Sequence, residues 1–238
     1  ATINLATNVN SNLKFNEFDY ATKVKLLGER RAKKGKDVKP LYNIHTIIEK
    51  NDGGLIVLSE YQLIIVGQKQ GIGPLGIQPI TYITNEIIVT ALKPDGSLEW
   101  SNVVAKDQDA TISVASFNIF AASGNANFAV GLGLSIPLGV MGKGPEYLSA
   151  IPIYKDGQLN IVFNDNKKNK GITDIDEIKN LGNYNNAVPT LFRFDDKGKI
   201  TRFDPEDVIK NELVIRPGVF YRKSDNELLI YASRKKSD

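Results

Sequence analysis

The chain has 238 residues, enough for one large β domain or two small ones with a sizeable core. Its 30 basic residues almost balance its 27 acidic residues, so no extended basic surface for nucleic acid is predicted. The chain contains no cysteine and one histidine, which excludes disulfides, a cysteine nucleophile and metal centres built from histidine and cysteine.

Residues 1–40 are predicted to form an N-terminal segment of short strands with one short helix. Weak alternation of apolar residues over the first fifteen positions indicates one or two strands. Between residues 16 and 34 the apolar spacing becomes helical, with Asn16 as a candidate N-cap and Gly35 as the stop. The helical positions i, i+4 and i+7 are Tyr20, Val24 and Leu27.

Two sequence patterns repeat after residue 40. The first is a tight polar turn followed by an apolar run that ends in polar residues, and the second is a strand that returns through an Asp-Gly or Lys-Gly turn. Copies of the first pattern are NDGGLIVLSEYQ (51–62), KDGQLNIVFNDN (155–166) and SDNELLIYASRK (224–235). Copies of the second are NEIIVTALKPDGSLEWSNVV (85–104) and NNAVPTLFRFDDKGKITRFD (185–204).

In chain order these hairpins give four antiparallel strands per unit. One unit covers residues 41–107, a second covers 145–206, and a third begins at Glu212 and stops after one hairpin. Serial four-stranded units predict an all-β, β-propeller-like domain over residues 41–238. Since a closed propeller has at least four blades, the count is too low for closure, and the N-terminal strands are candidates to complete the third unit.

An uncharged segment interrupts the first unit between its two hairpins, at residues 67–84. From Gly71 to Asn85 it carries no charge, and it contains two prolines. Loops are usually polar because they face water. We therefore interpret the segment as an apolar, glycine-rich insertion.

The second uncharged insertion covers residues 111–142 and has no ionisable side chain. Asparagines, glycines and a proline make a transmembrane helix unfavourable, and the apolar period is two. SGNAN (123–127) is a suitable turn, so the segment predicts a long hairpin with one large apolar face and one nearly bare face. The large positions of its second strand are Phe128, Val130, Leu132, Leu134, Ile136, Leu138 and Val140.

These apolar positions need cover, because an exposed hairpin of this kind promotes aggregation. Three arrangements would cover them: packing on the protein's own core, docking on a partner, and insertion into a membrane in β form. Docking on a protein partner, such as an outer-membrane complex, is the functional hypothesis. The candidate partner-binding residues are Ile72, Leu75, Ile77, Phe117, Phe120, Phe128, Val130, Leu132, Leu134 and Ile136.

The chain offers few candidates for catalysis. His45 lies in the apolar context IHTII and the sequence has no G-x-S-x-G motif, so we expect a structural hydrogen bond there. Glu60 and Asp165, each at the end of a repeated strand, are the first carboxylates to consider for a glycosidase pair, although their similar places favour a structural role. Trp100 is expected between adjacent sheets, with ligand stacking as the alternative.

A calcium site is considered at FNDNKKNKGITDIDE (163–177), because calcium binds clustered oxygen ligands. The spacing does not match an EF-hand loop and three lysines intervene, which favours a solvated loop. No catalytic residue, metal ligand or cofactor is predicted for this chain. The acidic residues concerned are Asp165, Asp174, Asp176 and Glu177.

Several segments between about residues 25 and 235 together resemble a group of exported, propeller-like bacterial proteins of unknown function. The resemblance implies export across the inner membrane of a Gram-negative cell, and it supplies no catalytic residues. The uncharged segments at 71–85 and 111–142 depart from the group's pattern. The segments that carry the resemblance are LLGERRAKKGK, NDGGLIVLSE, NEIIVTALKPDGSLEWSNVVAKDQ, IVFNDNKKN and IRPGVFYRKSDNELLIYASRKK.

The sequence therefore favours a non-enzymatic interaction protein of the periplasm or outer membrane. The opening residues ATINLATNVN lack the features of a signal peptide, so export requires that the sequence be a mature or partial product. The alternative function is a glycan-binding or glycan-hydrolysing propeller, which predicts a cleft lined by carboxylates and an exposed aromatic side chain.

Overall fold

A computed structural model provides the structure of the chain. Its described residues are 2–4, 9–12, 14–39, 41–71, 75–122, 129–138, 144–208, 210–224 and 227–235. For residues 2–4, 9–12, 118–122 and 129–132 the description covers the backbone.

The N-terminal segment contains two short strands and two short helices instead of the single predicted helix. β1 (Thr2–Asn4) pairs with β2 (Val9–Asn12), and α1 (Tyr20–Leu27) is followed by α2 (Glu29–Lys33). Gly28, at φ 75°, separates the helices, because a residue in this region cannot continue a right-handed helix. The N-cap of α1 is Asp19, whose carboxylate accepts from the N–H of Thr22, so the expectation of Asn16 as N-cap was wrong.

The larger sheet has five antiparallel strands in sequential order. Its third and fourth strands are unusually long, at 18 and 25 residues. The strands are β3 (Tyr42–Glu49), β4 (Leu55–Val66), β5 (Leu75–Leu92), β6 (Leu98–Ala122) and β7 (Ala129–Leu138).

A four-stranded antiparallel sheet and a separate hairpin follow. The sheet again has sequential strand order, and the hairpin stands as a two-stranded sheet of its own. β1 and β2 pair with each other in a further sheet, so they do not complete the C-terminal hairpin. The strands are β8 (Ile151–Lys155), β9 (Gln158–Asn166), β10 (Ala187–Phe194), β11 (Ile200–Phe203), β12 (Leu213–Arg222) and β13 (Leu228–Arg234).

The repeated sequence patterns correspond to hairpins, and the chain is mostly β with antiparallel strands, as predicted. The polar-turn pattern forms the hairpins β3–β4, β8–β9 and β12–β13, and the second pattern forms β5–β6 and β10–β11. The insertion expected at 67–84 is corrected, because residues 75–84 are part of β5. They pair with β6 throughout, and residues 80–84 also pair with β4. The hairpin expected within 111–142 is present, as β6 and β7 pair from Ser113–Leu138 to Ala122–Ala129.

The main core lies between the two large sheets. Apolar side chains of β4, β5 and β6 pack against those of β9 and β10, and the rings of Phe163 and Phe192 stack at 5.6 Å. This packing buries the facing parts of the two sheets, as expected for antiparallel sheets with a shared core. The buried residues of this core are Ile56, Leu58, Ile87, Val89, Ala91, Val104, Ala150, Leu159, Ile161, Phe163, Phe192 and Phe194.

Asn164 attaches the C-terminal hairpin to the rest of the fold. Its fully buried amide donates to the carbonyls of Tyr147 and Ile215 and accepts from the N–H of Ile215. A second apolar cluster, which includes Tyr147, Leu181 and Val214, surrounds these bonds. Because both the oxygen and the nitrogen of this buried amide are hydrogen-bonded, one side chain fixes β12 against β9.

We predict that Gly198→Ala destabilises the fold by more than the same change at Gly157. Both glycines have φ 76°, so each alanine costs about 1–2 kcal/mol for the left-handed backbone. At Gly198 the new Cβ would also lie 2.5 Å from the indole of Trp100, whereas at Gly157 it meets no atom within 4 Å. The overpacking should add about 1–3 kcal/mol in urea unfolding, and equal losses at the two positions would contradict the prediction.

Candidate functional site

The long strands of the larger sheet extend beyond the core and form an exposed distal half. We use this name for residues 62–66, 75–84, 109–122 and 129–138. Within β5, Ile87 is 1% exposed in the core, whereas Leu75 is 61% exposed in the distal half. The sheet therefore continues past the point where the second sheet covers it.

One face of the distal half carries a continuous set of large apolar side chains. The strand register places Leu75 opposite Phe117 and Phe117 opposite Leu134. The next row on this face consists of Ile77, Ala115 and Ile136. We define the distal apolar face by its exposed members, which are Ile65, Leu75, Ile77, Phe117, Leu134, Ile136 and Leu138.

The same face of β6 is covered nearer the β5–β6 turn. There α1 lies across it, and the hydroxyl groups of Thr22 and Ser101 are 2.8 Å apart. Val103, two residues further along β6, is buried. Ser101, Val103 and Phe117 share one side of the strand because side chains alternate along it. The N-terminal helix thus shields the near part of this face, while the described side chains of its far part remain exposed.

The opposite face of the distal half is different in character. It includes small or polar residues such as Gly76, Ser116 and Ser135, and the carbons of the Lys69 side chain occupy the space where a Cβ of Gly76 would lie. Nearer the core, Tyr82 on this face packs against the second apolar cluster. The alternation expected from the sequence is therefore present in β7, where this face carries Gly133 and Ser135. On β4, however, the same face carries the exposed side chains of Ile64 and Val66.

Five of the ten predicted partner-binding residues form part of the distal apolar face. They are Leu75, Ile77, Phe117, Leu134 and Ile136, each between 39% and 61% exposed. The described side chains of this face are thus not sealed in the protein's own core. Ile65 was missed, and its pairing with Thr81, which continues the face onto β4, is a tertiary feature that local alternation does not reveal.

The other five predicted residues are only partly described or lie outside the description. Phe120, Val130 and Leu132 are described through their backbone, in register with Gly131, Ala121 and Ile119. Ile72 and Phe128 lie outside the described residues.

A buried ion pair lies where the core half and the distal half meet. The Lys106 ammonium is 3.1 Å from Glu60 Oε1, and both side chains are fully buried. Lys106 also donates to the carbonyl of Thr84 at 2.6 Å and to its hydroxyl. Satisfied hydrogen bonds of this kind offset the desolvation of a buried charge.

The surroundings of this pair lower the pKa values of both partners. Burial raises the pKa of Glu60, but the charge of Lys106 and a hydrogen bond from Gln62 outweigh it, so the pKa lies below its ordinary value. Burial also lowers the pKa of Lys106, against the opposing effect of Glu60. The stabilisation from ionised Glu60 is therefore complete above the ordinary glutamate pKa and is lost as the pH falls through the lowered value.

His45 has the structural hydrogen bonds that the sequence predicts. Its Nε2 lies 3.1 Å from the Ser149 hydroxyl, and its Nδ1 lies 2.9 Å from the hydroxyl of Thr46. The Ser149 hydroxyl donates to Glu60 at 2.9 Å, and Ser149 has a positive φ of 75°. Glu60 is thus hydrogen-bonded to Ser149, and Ser149 lies between Glu60 and His45. In a Ser-His-Asp triad the histidine lies between the serine and the carboxylate.

The second carboxylate considered for catalysis also belongs to a buried ion pair. Asp165 lies 2.9 Å from Arg202, and both side chains are almost fully buried. Burial raises the pKa of Asp165, against the charge of Arg202. Glu60 on β4 and Asp165 on β9 each bind a cation two strands further along their sheet, which accounts for their similar places in the two sequence repeats.

Trp100 lies half-buried at the turn end of the two large sheets. Its ring stacks on Phe194 at 5.8 Å, and its N–H donates to the carbonyl of Asp196 at 3.0 Å. It borders a groove of about 450 Å³, in which the ammonium of Lys50 lies 2.5 Å from the carboxylate of Glu99. The indole therefore packs between the sheets, as expected, and its donor is engaged within the protein.

Metal sites, membrane-spanning helices and similarity to known proteins were also considered as indications of function. Among the described residues, no group of three or more acidic or histidine side chains is arranged to hold a metal ion, and Asp174 instead caps the N–H of Asp176. Within the same residues, every helix is too short or too polar to cross a bilayer. No protein-family model, curated protein or solved structure matches the chain.

We predict that Lys106→Met lowers the free energy of unfolding by about 3–5 kcal/mol, because Glu60 would remain buried without its cation. The double variant Glu60→Gln, Lys106→Met should recover much of this loss in urea unfolding at pH 7. Lys33→Met is the matched control, since the Lys33–Glu29 pair is about two-thirds exposed and should contribute less than about 1 kcal/mol. Similar losses from Lys106→Met and Lys33→Met would contradict the prediction.

Proposed function

We propose that the protein is a non-enzymatic interaction protein of the cell envelope, and that it docks on a protein partner through the distal apolar face. The observation that carries this proposal is the exposure of seven large apolar side chains in register on one sheet face. The envelope location is inferred from the resemblance to exported bacterial proteins.

The composition of the face favours an apolar, uncharged partner surface. Residues 111–142 contain no ionisable side chain, so charge pairing within the centre of this contact contributes nothing to recognition. Burying one large apolar side chain fully is worth about 1.5–3 kcal/mol, and these side chains are already about half buried. A flat sheet face fits against another sheet face at a spacing of about 10 Å.

We also infer that the β strands form blade-like repeats. Two four-stranded meanders, β3–β6 and β8–β11, are followed by the two-stranded hairpin β12–β13. The sequence patterns recur at the same places in each unit, which supports a common origin for the three. In this view the distal half is an extension of the first unit that carries the binding face.

Leu134→Asp should abolish binding of the partner, because it places a charge at the centre of the distal apolar face. Ser135→Asp is the matched control, since it adds the same charge to the same strand but on the opposite face. A photo-reactive residue at Ile136 reports binding as a covalent adduct in envelope fractions of the source cells. The same residue at exposed Lys197 should give no such adduct.

The proposal requires that Leu134→Asp removes the adduct while Ser135→Asp retains it, with unfolding temperatures unchanged. An adduct that forms equally from Lys197, or that survives Leu134→Asp, would overturn it. If Leu134→Asp unfolds the protein, Leu134→Ser removes apolar contact without adding a charge and should still reduce the adduct several-fold.

A further inference from the structure

The outer edge of the larger sheet is formed by β7. Strand order places β7 last, next to β6 alone. Its described residues, Ala129–Leu138, carry no charge and contain no bulge. Natural proteins usually protect such edges with charged residues, bulges or covering segments, and the described residues of β7 provide neither a charge nor a bulge.

Hydrogen bonds elsewhere in the sheet establish which backbone groups of β7 point outward. The N–H of Gly67 donates to the carbonyl of Pro79 at 2.8 Å, so position 79 of β5 faces β4. Neighbouring residues of an antiparallel strand face opposite sides. Even-numbered residues of β5 here, such as Ile80, therefore face β6, and they pair with even-numbered residues of β6, such as Ile112.

The same alternation extends to β7. Odd-numbered residues of β6 face β7, and Ala115 and Phe117 pair there with Ile136 and Leu134. Even-numbered residues of β7 thus bond to β6, and odd-numbered residues direct their N–H and C=O groups outward. Pro137, which has no N–H, is one of these odd positions. A proline there leaves the β6–β7 ladder intact.

The outward-facing residues are Ala129, Gly131, Gly133 and Ser135, followed by Pro137. All four residues before the proline are small, so another backbone can approach without steric hindrance. Four successive outward positions provide both donors and acceptors along the edge. This part of β7 is therefore a complete pairing surface for one further antiparallel strand.

We propose that the partner at this edge is β7 of a second copy of this chain, paired antiparallel about a two-fold axis perpendicular to the sheet. The inference goes beyond the proposed function, because it concerns the edge of β7 and leaves the distal apolar face available to another protein. A register centred on Leu132 pairs Ala129 with Ser135 and Gly131 with Gly133 of the second copy. It uses all four small outward positions and leaves Pro137 outside the ladder.

A second copy fits this edge because the alternation of β7 is self-complementary. In the proposed register, odd-numbered residues oppose odd-numbered residues, and even-numbered residues oppose even-numbered ones. The axis keeps the distal apolar faces of both copies on the same side, so they join into one apolar surface. With no charge on β7, two identical edges meet without repulsion, whereas recognition of a different chain by charge is not available here.

The absence of cysteine from the chain permits a direct test by disulfide trapping. In the proposed dimer the two Leu132 residues form a pair without backbone hydrogen bonds, with Cα atoms about 4.5 Å apart, which suits a disulfide. Leu132→Cys should form a covalent dimer under mild oxidation at micromolar protein concentration. Lys33→Cys, on the exposed side of α2, should remain largely monomeric under the same conditions.

A second variant tests the backbone pairing itself. Ser135→Pro removes an outward N–H, and Ser135→Thr keeps it. In analytical ultracentrifugation the wild type should dimerise, Ser135→Pro should raise the dimer dissociation constant at least tenfold, and Ser135→Thr should change it little. Unfolding temperatures of both variants report whether the β6–β7 hairpin is preserved, and trapping through Leu132→Cys keeps the inference testable if Ser135→Pro unfolds.

The inference is overturned if the wild type is monomeric at all concentrations, or if Leu132→Cys and Lys33→Cys cross-link equally. Should the wild type be monomeric while the Ile136 adduct is lost in Leu134→Asp, the edge pairs with a different protein or not at all, and the proposed function stands. Should dimers form while no Ile136 adduct with another protein appears, the edge pairing stands and the proposed docking function fails.

Discussion

The backbone ladder between β5 and β6 is the constraint on which the rest of the molecule depends. It runs from Leu92–Leu98 beside the turn to Leu75–Phe117 at the far end. Its first part lies over the core, where Val89 and Val104 are fully buried. Because the same two strands stay paired to the far end, through register shifts beside Asn85 and Ala91, burial of the core also fixes the pairing of the exposed distal half.

A change of alternation at Asn85 and Glu86 of β5 determines which side chains are exposed. Ile87 and Val89 face the core, but on the distal side Tyr82 and Thr84 do so. The strand register shifts at the same place, between Asn85 and Ile87, as at a β-bulge. Odd-numbered residues of β5 thus pass from the core side to the exposed side, and the Glu60–Lys106 pair occupies the junction.

The sequence predicted the hairpins and the two-residue alternation, because both depend on neighbouring residues. It did not predict that residues 75–84 continue β5, since glycine and proline in that segment also fit a loop. The sequence also could not predict which side of the sheet each residue faces. Strict alternation would place Ile77 and Ile87 on the same face, but the register shift places them on opposite faces. The equivalent places of Glu60 and Asp165 in the repeats already favoured a structural role, but their cationic partners lie on strands distant in sequence and followed only from the three-dimensional arrangement.

One alternation in β7 determines both which side chains lie on the distal apolar face and which backbone groups point away from β6. Even-numbered residues such as Leu134 place their side chains on the distal apolar face and bond to β6. Odd-numbered residues such as Gly133 are small and direct their backbone outward. A slip of one residue would reverse both properties together. In the proposed dimer, a strand that pairs with this edge therefore also extends the apolar face, so both proposed surfaces depend on the same register.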